Sequence, residues 1–372
     1  MRVGIPKEIK NHEYRVGMTP PAVRELTSRG HEVFVETMAG DGIGLDDAMY
    51  ERVGAKILAT ADEVFDTADM IVKVKEPQAV EIKRLKPKHT LFTYLHLAPD
   101  PEQTKGLIES GAICIAYETV TDSRGGLPLL APMSEVAGRM SIQAGAHSLE
   151  KAQGGRGMLL GGVPGVPAAK VVVLGGGVVG TNAARMAMGL EAHVTILDVS
   201  LHRLNELDLQ FGAMLNTIYS TIDSVEEYVT GADLVIGGVL LPGAAAPKLI
   251  TRKMVGQMKK GSVIVDVAID QGGCAETSHA TTHADPTYLV DGVVHYAVAN
   301  MPGGVARTST FALNNATLPF TVALAQKGAE QAMKDNPHLR AGLNVYKNVL
   351  TYKAVADAQN LPFKSAESVL GV

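Results

Sequence analysis

Residues 170–198 read KVVVLGGGVVGTNAARMAMGLEAHVTILD. An apolar strand candidate runs into Gly175-x-Gly177-x-x-Gly180, a run of small residues with helical character leaves it, and a second apolar strand candidate ends at Asp198. Three glycines at that spacing are weak evidence alone. Here a strand precedes them, a helix follows, and an acid stands 23 residues past the first glycine, which makes the motif specific for a dinucleotide. Gly175 serves the tight turn, Gly177 lets the backbone approach a pyrophosphate, and Gly180 lets the helix pack closely on the strand. The phosphates then meet the unpaired N–H groups and positive dipole end of the helix that opens with Val178 and Val179. Asp198 suits the hydroxyls of an adenosine ribose and repels a 2′-phosphate, which favours NAD over NADP. Arg203 stands nearby as a residue able to hold that phosphate instead. A glycine-rich turn without a ligand is the plain alternative.

The alternation of strand and helix extends to both sides of this motif. Before residue 125 the strand candidates are RVGIP, HEVFVE, AKILA, DMIVKVK, TLFTYLH and AICIAYE. Between them lie helices such as TPPAVRELTSRG, where Thr19 can cap, Pro20 takes the first helical position and Gly30 ends the run. A connector helix is expected over 133–153, then the Gly/Pro-rich loop GGRGMLLGGVPGVPAAK, then six strands: KVVVLGGG, AHVTILD, MLNTIYS, DLVIGGV, SVIVDVA and HYAVAN. After Asn300, TFALNNATLPFTVALAQKGAEQAMKDN and NVYKNVLTYKAVADAQN both read as helical with no strand left, and this tail is expected to pack back on the first domain. At 372 residues the chain exceeds one ordinary core. The expectation is an α/β protein of two doubly wound parallel-sheet domains. Residues 1–128 with 308–372 would form a substrate and catalytic domain. Residues 129–307 would form a Rossmann dinucleotide-binding domain inserted in it, with connector helices at both crossings.

Composition narrows the function classes. A net charge of −5 gives no electrostatic case for nucleic acid or an anionic membrane, and the basic run KRLKPKH reads as a solvated face. The opening MRVGIPKEIK lacks the apolar core of a signal peptide. The long uncharged stretch at 234–247 has 14 residues broken by Gly and Pro, too short to span a bilayer. Two cysteines, Cys114 and Cys274, indicate no disulfide framework and fit a reducing cytoplasm.

Ligands of open α/β sheets gather outside the carboxyl ends of the strands. Polar residues at or just past those ends are Arg15, Lys75 and His96 in the first half, and Asp270 and Asn300 in the second. Facing carboxyl edges would bring the five to one cleft. Arginine binds a carboxylate bidentately, lysine polarises a keto oxygen, histidine titrates near neutrality, and aspartate holds a water or an amine. Each also has a plain structural alternative. Arg15 could lie on the surface, Lys75 could pair with Glu76 or Glu118, His96 could be a core histidine, and Asp270 could cap the turn before its two glycines. No metal site is expected: His279 and His283 stand four apart near Cys274, but Ala280 follows the first histidine in a Gly- and Thr-rich loop, where a zincin helix needs glutamate. No G-x-S-x-G elbow supports hydrolase chemistry.

Taken in order, GIPKEIKNHEYRVGMTP, VKVKEP, FTYLHLAPD, PMSEVAGRMSIQAGAHSLE, GGVPGV, DVAIDQGG and HYAVANMPG resemble the alanine dehydrogenase family along essentially the whole chain. The NAD(H)-binding subunit of proton-translocating transhydrogenase shares the fold but not this full set of motifs. The resemblance implies reversible oxidative deamination of L-alanine to pyruvate and ammonia, with NAD as hydride acceptor, in a homohexamer. By the family's pattern Arg15 and Lys75 hold the substrate carboxylate and carbonyl, with Asn300 beside them. His96 is the general acid/base and Asp270 assists at the amine or water. The cofactor is expected along Ser134, Asp198, Arg203, Ser220, Val239 and Leu240, along Val267, Ala268, Ile269 and Asp270, and along Val298, Ala299, Asn300 and Met301. Two departures stand out: His279 where some members have arginine, and Gly304 where alanine is usual. Two other functions compete. One is an NAD(H)-holding module that passes hydride to a partner protein. The other is a dehydrogenase of a longer amino acid, of the saccharopine dehydrogenase kind.

Overall fold

The computed structural model describes residues 1–239 and 246–372. The chain begins with strands β1 (Arg2–Ile5), β2 (Glu32–Glu36), β3 (Lys56–Leu58), β4 (Met70–Val72), β5 (Thr90–Thr93) and β6 (Ile113–Ala116). It continues through β7 (Lys170–Leu174), β8 (His193–Asp198), β9 (Leu215–Tyr219), β10 (Leu234–Gly237), β11 (Val263–Asp266), β12 (Thr287–Val290) and β13 (Val293–Tyr296), and ends with β14 (Leu343–Tyr346) and β15 (Val349–Leu350). Two compact units result: Met1–Pro132 with Ala306–Val372, and Met133–Val305. The chain therefore leaves the first unit and returns to it.

In the first unit the sheet order is β15-β14-β6-β5-β4-β1-β2-β3. The six strands from β6 to β3 run parallel, and β4, β5 and β6 are buried at every residue, as a sheet covered on both faces requires. In the second unit the order is β12-β13-β11-β10-β7-β8-β9, parallel except for β12. Its core lies on both sides of the central strands, with Val171, Val173 and Ile236 on one face and Val172, Leu174 and Val235 on the other.

Three expectations need correction. The tail is not wholly helical, because NVYKNVLTYKAVADAQN supplies β14 and β15 before its helix Lys353–Gln359. Lys347 and Asn348 both take left-handed backbone (φ 45° and 71°), forming a two-residue hairpin turn whose twist suits paired strands. β14 then lies antiparallel on β6 and covers that edge. The second sheet also has a strand more than expected: Asp291 and Gly292 (φ 49° and 78°) turn the chain between β12 and β13. Thr19 stands at the N-cap of helix Pro20–Thr27 without capping it; its hydroxyl donates to Asn314 Oδ1 at 2.6 Å. Asn314 lies on the helix Ala306–Lys327, so this bond ties the returning tail to the first segment of the unit. Pro319, inside that helix, is exposed, where water can satisfy the carbonyl its ring leaves unbonded. Among the described residues no helix is long and apolar enough to cross a membrane.

Ile236, fully buried in the central strand β10, tests this core. Ile236→Ala is expected to destabilise the second unit by about 2–5 kcal/mol, read as a lower urea midpoint for the transition reporting on residues 133–305.

Candidate active site

In the first unit, β1 and β4 are neighbours, although β1 is followed in sequence by β2 on its other side. This is the topological switch point of the sheet. Arg15 lies beyond β1, Lys75 three residues beyond β4, and His96 three residues beyond β5, so adjacent strands carry all three past one edge. The strands are shorter than the sequence suggested: β4 stops at Val72 and β5 at Thr93.

Arg15 is not a surface residue, since only 2% of its side chain is exposed. Its Nε and Nη2 donate to the two oxygens of Glu13 at 2.7 and 2.6 Å, a fork-to-fork pair that fixes the guanidinium plane. Burial pushes the Glu13 carboxyl up, but the bonds from Arg15 outweigh it and hold it below the usual carboxylate range. The same loop passes so close to β4 that a Cβ on Gly17 would collide with the Val72 carbonyl. Lys75 Nζ lies 3.6 Å from Glu76 Oε2, and Glu76 also receives Lys10. One ion pair weighed for Lys75 is thus present. Glu118, the other partner weighed, is engaged elsewhere.

His96 is no core histidine either, with 46% of its side chain exposed. Its backbone is left-handed (φ 50°), a conformation that costs a non-glycine residue about 1 kcal/mol or more. Glu118 holds it there: Oε1 accepts from the His96 N–H at 2.6 Å, and both oxygens accept from the Leu95 N–H at 3.1 and 3.2 Å. The imidazole stacks on Tyr94 with centroids 5.6 Å apart and planes 6° from parallel, while Leu95 and Leu97 are buried on either side of it in sequence. Tyr94 is itself fixed by its hydroxyl, which donates to the Leu129 carbonyl at 2.5 Å.

Sequence reasoning missed the buried charges behind these residues, Glu13 and a cluster of Glu8, Lys73 and Glu81 with almost no exposure, and weighed Glu118 only for Lys75 when it holds the His96 segment. Lys73 gave the one available signal, a lysine inside an otherwise apolar strand run.

In the second unit the glycine turn has the geometry a pyrophosphate needs. Gly175 is left-handed (φ 93°), a Cβ on Gly180 would collide with the Gly175 carbonyl, and a Cβ on Gly177 would meet open space. Helix Val178–Gly189 starts there, so the amides of its first turn have no intrahelical acceptor. The connector helix Ala131–Ser148, which carries the half-buried Ser134, packs so closely that a Cβ on Gly138 would strike the Val179 carbonyl. Asp198 ends β8. Its Oδ2 accepts from the Gly176 N–H at 2.6 Å and its Oδ1 from the Ser200 N–H at 2.8 Å, leaving a lone pair on each oxygen for a ribose hydroxyl. Ser220 follows β9 and donates its N–H to the Asp198 carbonyl at 3.0 Å.

Arg203 is committed within the protein. Nε donates to the Gly176 carbonyl at 2.6 Å, Nη2 to the Thr181 hydroxyl at 2.7 Å, and Nη1 to Glu206 at 2.6 Å. Glu206 thus places a carboxylate on this guanidinium, whose side chain is 31% exposed. These residues fit a dinucleotide, with its pyrophosphate at the glycine turn and a ribose at Asp198.

Val239 follows β10 and is half-buried against the core; Leu240 lies outside the described residues. Val267, Ala268, Ile269 and Asp270 form a single tight helical turn after β11. The N–H groups of Gly272 and Gly273 bond to the carbonyls of Ile269 and Ala268, so Asp270 does not cap that turn. Its Oδ1 accepts instead from the N–H of Asn300 at 3.2 Å. Asn300 is left-handed (φ 55°) and stands four residues past β13, between Val298 and Ala299 on one side and buried Met301 on the other. Asp270 and Asn300 are thereby joined. His279 and His283 diverge: the first stacks on Tyr288 at 3.7 Å, and the second points Nε2 at the Asn300 carbonyl, 3.3 Å away. Among the described residues no group of three or more His, Cys, Asp or Glu is arranged to hold a metal ion.

The comparisons with known proteins bear on the whole chain. Residues 4–137 match the alanine dehydrogenase/PNT N-terminal domain, and residues 141–353 match the alanine dehydrogenase/PNT C-terminal domain. A curated alanine dehydrogenase from Halomonas elongata is 63% identical over 371 residues, covering 100% of both chains. The chain belongs to the alanine dehydrogenase/PNT family. Within this family, a solved L-alanine dehydrogenase superposes with a TM-score of 0.94 at 52% identity, over 97% of this chain and 99% of that one. A transhydrogenase from Sinorhizobium meliloti superposes with a TM-score of 0.82 at 27% identity, over 95% and 100%.

Gly17 tests the close approach beside Arg15. Gly17→Ala is expected to force the loop off the Val72 carbonyl and to destabilise the first unit by about 1–3 kcal/mol, read by thermal unfolding.

Proposed function

We infer that the protein catalyses the reversible oxidative deamination of L-alanine to pyruvate and ammonia, with NAD as the hydride acceptor. The observation that carries this reading is the full-length match, at 63% identity, to a curated alanine dehydrogenase by a chain with Arg15, Lys75 and His96 at neighbouring strand ends.

When bound, the nicotinamide supplies the acceptor for the hydride on the substrate Cα. The glycine turn with the start of helix Val178–Gly189 would hold the pyrophosphate and Asp198 the ribose. Ser134, Ser220, Val239 and the segments 267–270 and 298–301 would complete the contacts. The rest of the chemistry belongs to side chains. Arg15, with its plane already fixed by Glu13, binds the substrate carboxylate. Lys75 polarises the oxygen of the keto acid. His96 takes a proton from a water as its oxygen bonds to the imino carbon. It then returns a proton to the nitrogen as the C–N bond breaks and ammonia leaves. Its exposure lets it exchange protons with solvent, and its stacking on Tyr94 keeps the ring oriented. Asp270, fixed by the Asn300 amide, stabilises the developing ammonium or the water, and Asn300 contacts substrate and cofactor.

The likeness to a transhydrogenase favours a second reading, a hydride-transfer module without substrate chemistry. Such a module has no use for Lys75 and His96. We further infer a homohexamer in a reducing cytoplasm, in keeping with two buried, unpaired thiols.

The deciding assay is NADH formation from a panel of L-amino acids. L-Alanine is expected to be the preferred substrate; absence of turnover with it, or preference for a longer amino acid, sinks this reading. His96→Ala is expected to lower kcat by about 10²–10⁴, and near-normal turnover would remove His96 from its role. For the cofactor, Asp198→Ser should lower kcat/KM for NAD relative to NADP, since it removes the ribose acceptor and the charge that repels a phosphate. An unchanged NAD-to-NADP ratio would count against Asp198.

A further inference from the structure

Lys75 is carried by a segment at which the sheet gives out, yet every backbone polar group of residues 73–75 has a partner. Toward β5, the Lys73 N–H donates to the Phe92 carbonyl at 3.2 Å and the Val74 carbonyl accepts from the Tyr94 N–H at 3.2 Å. The Lys73 carbonyl accepts from the Tyr117 phenol at 3.0 Å, and the Lys75 carbonyl from the Thr93 hydroxyl at 2.9 Å. Two donors remain. β1, the other neighbour of β4, stops pairing at Gly4 opposite Ile71, and the chain that continues from it brings Glu8. Glu8 Oε1 accepts from both the Val74 N–H at 2.7 Å and the Lys75 N–H at 3.3 Å. A carboxylate thus stands where the next strand's carbonyls would have been.

The second oxygen of Glu8 accepts from Lys73 Nζ at 2.9 Å, and Lys73 Nζ lies 2.8 Å from Glu81 Oε1. Glu81 in turn accepts from the Gln78 N–H at 2.8 Å at the start of helix Ala79–Ile82. Buried ion pairs of this kind are rarely better for stability than apolar residues of the same volume, so stability alone does not account for three charged groups here. What the cluster supplies is a charged acceptor, roughly twice as strong as a neutral one, fixed on the amides that carry Lys75.

We propose that Glu8 is a positioning residue for Lys75, clamping the Val74 and Lys75 amides while Lys73 and Glu81 hold the carboxylate in place. The proposal rests on the function inferred above only in that Lys75 contacts the keto acid; the clamp itself is a property of the fold. Glu8→Gln separates the two halves of the arrangement. An amide has one acceptor oxygen, and the charged Lys73 ammonium is the stronger claim on it, so the Val74 and Lys75 N–H groups are left facing an NH2 group and lose their acceptor.

The experiment is amide hydrogen exchange read by mass spectrometry, paired with kinetics. In Glu8→Gln the peptide spanning 73–76 is expected to exchange at least about tenfold faster, with peptides of residues 133–305 unchanged; unaltered exchange at 73–76 overturns the clamp. The kcat/KM for pyruvate is expected to fall by on the order of 10²-fold, as for a sub-ångström to ångström misplacement, with the Kd for NADH unchanged. Single-turnover rates, with enzyme in excess, are then compared in a Lys75→Ala background. There Glu8→Gln is expected to add no further loss; an equal loss in both backgrounds means Glu8 does not act through Lys75, and overturns the proposal. If Glu8→Gln does not fold, Glu8→Asp, which keeps a carboxylate for the Lys73 ammonium but is one methylene too short to reach the two N–H groups as well, is read the same way, and wild-type exchange and kinetics overturn the proposal. A wild-type protein without pyruvate and ammonia turnover refutes the function above, while the exchange result still decides the clamp.

Discussion

A lysine with no exposed surface keeps its charge only if carboxylates stand close enough to offset several kcal/mol of lost hydration. Lys73 meets that condition with two. Burial pushes its ammonium down, and the charges of Glu8 and Glu81 more than reverse this, raising it above the usual lysine range. The carboxyl edge of the first unit is organised around this point. The amides of Val74 and Lys75 converge on Glu8, the loop through Gly17 lies against the Val72 and Lys73 backbone, and that loop carries Arg15 and Glu13. A buried cation at the end of one strand thus fixes the chain beyond two strands.

The two units share a winding. Read from one edge, β3-β2-β1-β4-β5-β6 and β9-β8-β7-β10-β11-β13 are the same order, and each sheet carries antiparallel strand at its far edge. They differ in the connection that leaves the first strand. After β7 the chain turns at three glycines straight into a helix, leaving bare amides for an anion. After β1, residues 6–19 form a loop before the helix Pro20–Thr27, and that loop delivers Glu8, Glu13 and Arg15 to the equivalent position. One topology therefore offers backbone dipoles in one unit and paired side-chain charges in the other. The first suits a ligand held by its phosphates, the second a small carboxylate.

Legibility in the sequence tracks the range of the forces involved. The dinucleotide turn was legible because its demands are local: φ at Gly175 and the absence of a Cβ at Gly180 are written into consecutive residues. Arg15, Lys75 and His96 were legible because parallel sheets put every carboxyl end on one side. The β12–β13 hairpin was also written locally, in Asp291-Gly292, and was overlooked because the following apolar run already read as a strand. Lys347-Asn348 is a weaker turn signal, and a helical period in the flanking residues masked β14. Glu8 was not legible, since it looks like an ordinary exposed acid until Lys73 is brought beside it from a distant stretch of chain, and Glu118, weighed only as a partner for Lys75, instead takes the His96 amide. Thr19 failed as a cap for the same reason, its hydroxyl being drawn to Asn314 from the far end of the chain.

Gly304 stands where the family's pattern has alanine, and the missing methyl group suggests an open space. The space is in fact taken: a Cβ there would lie 2.7 Å from His283 Cε1 and 2.9 Å from the Met140 methyl. Both atoms end flexible side chains, so the crowding is relieved when either the imidazole or the methionine turns slightly. A methyl group at 304 is therefore felt in the rotamers of two side chains and not in the backbone. His283 also faces the Asn300 carbonyl, so a change of side chain at 304 reaches the candidate site through the imidazole.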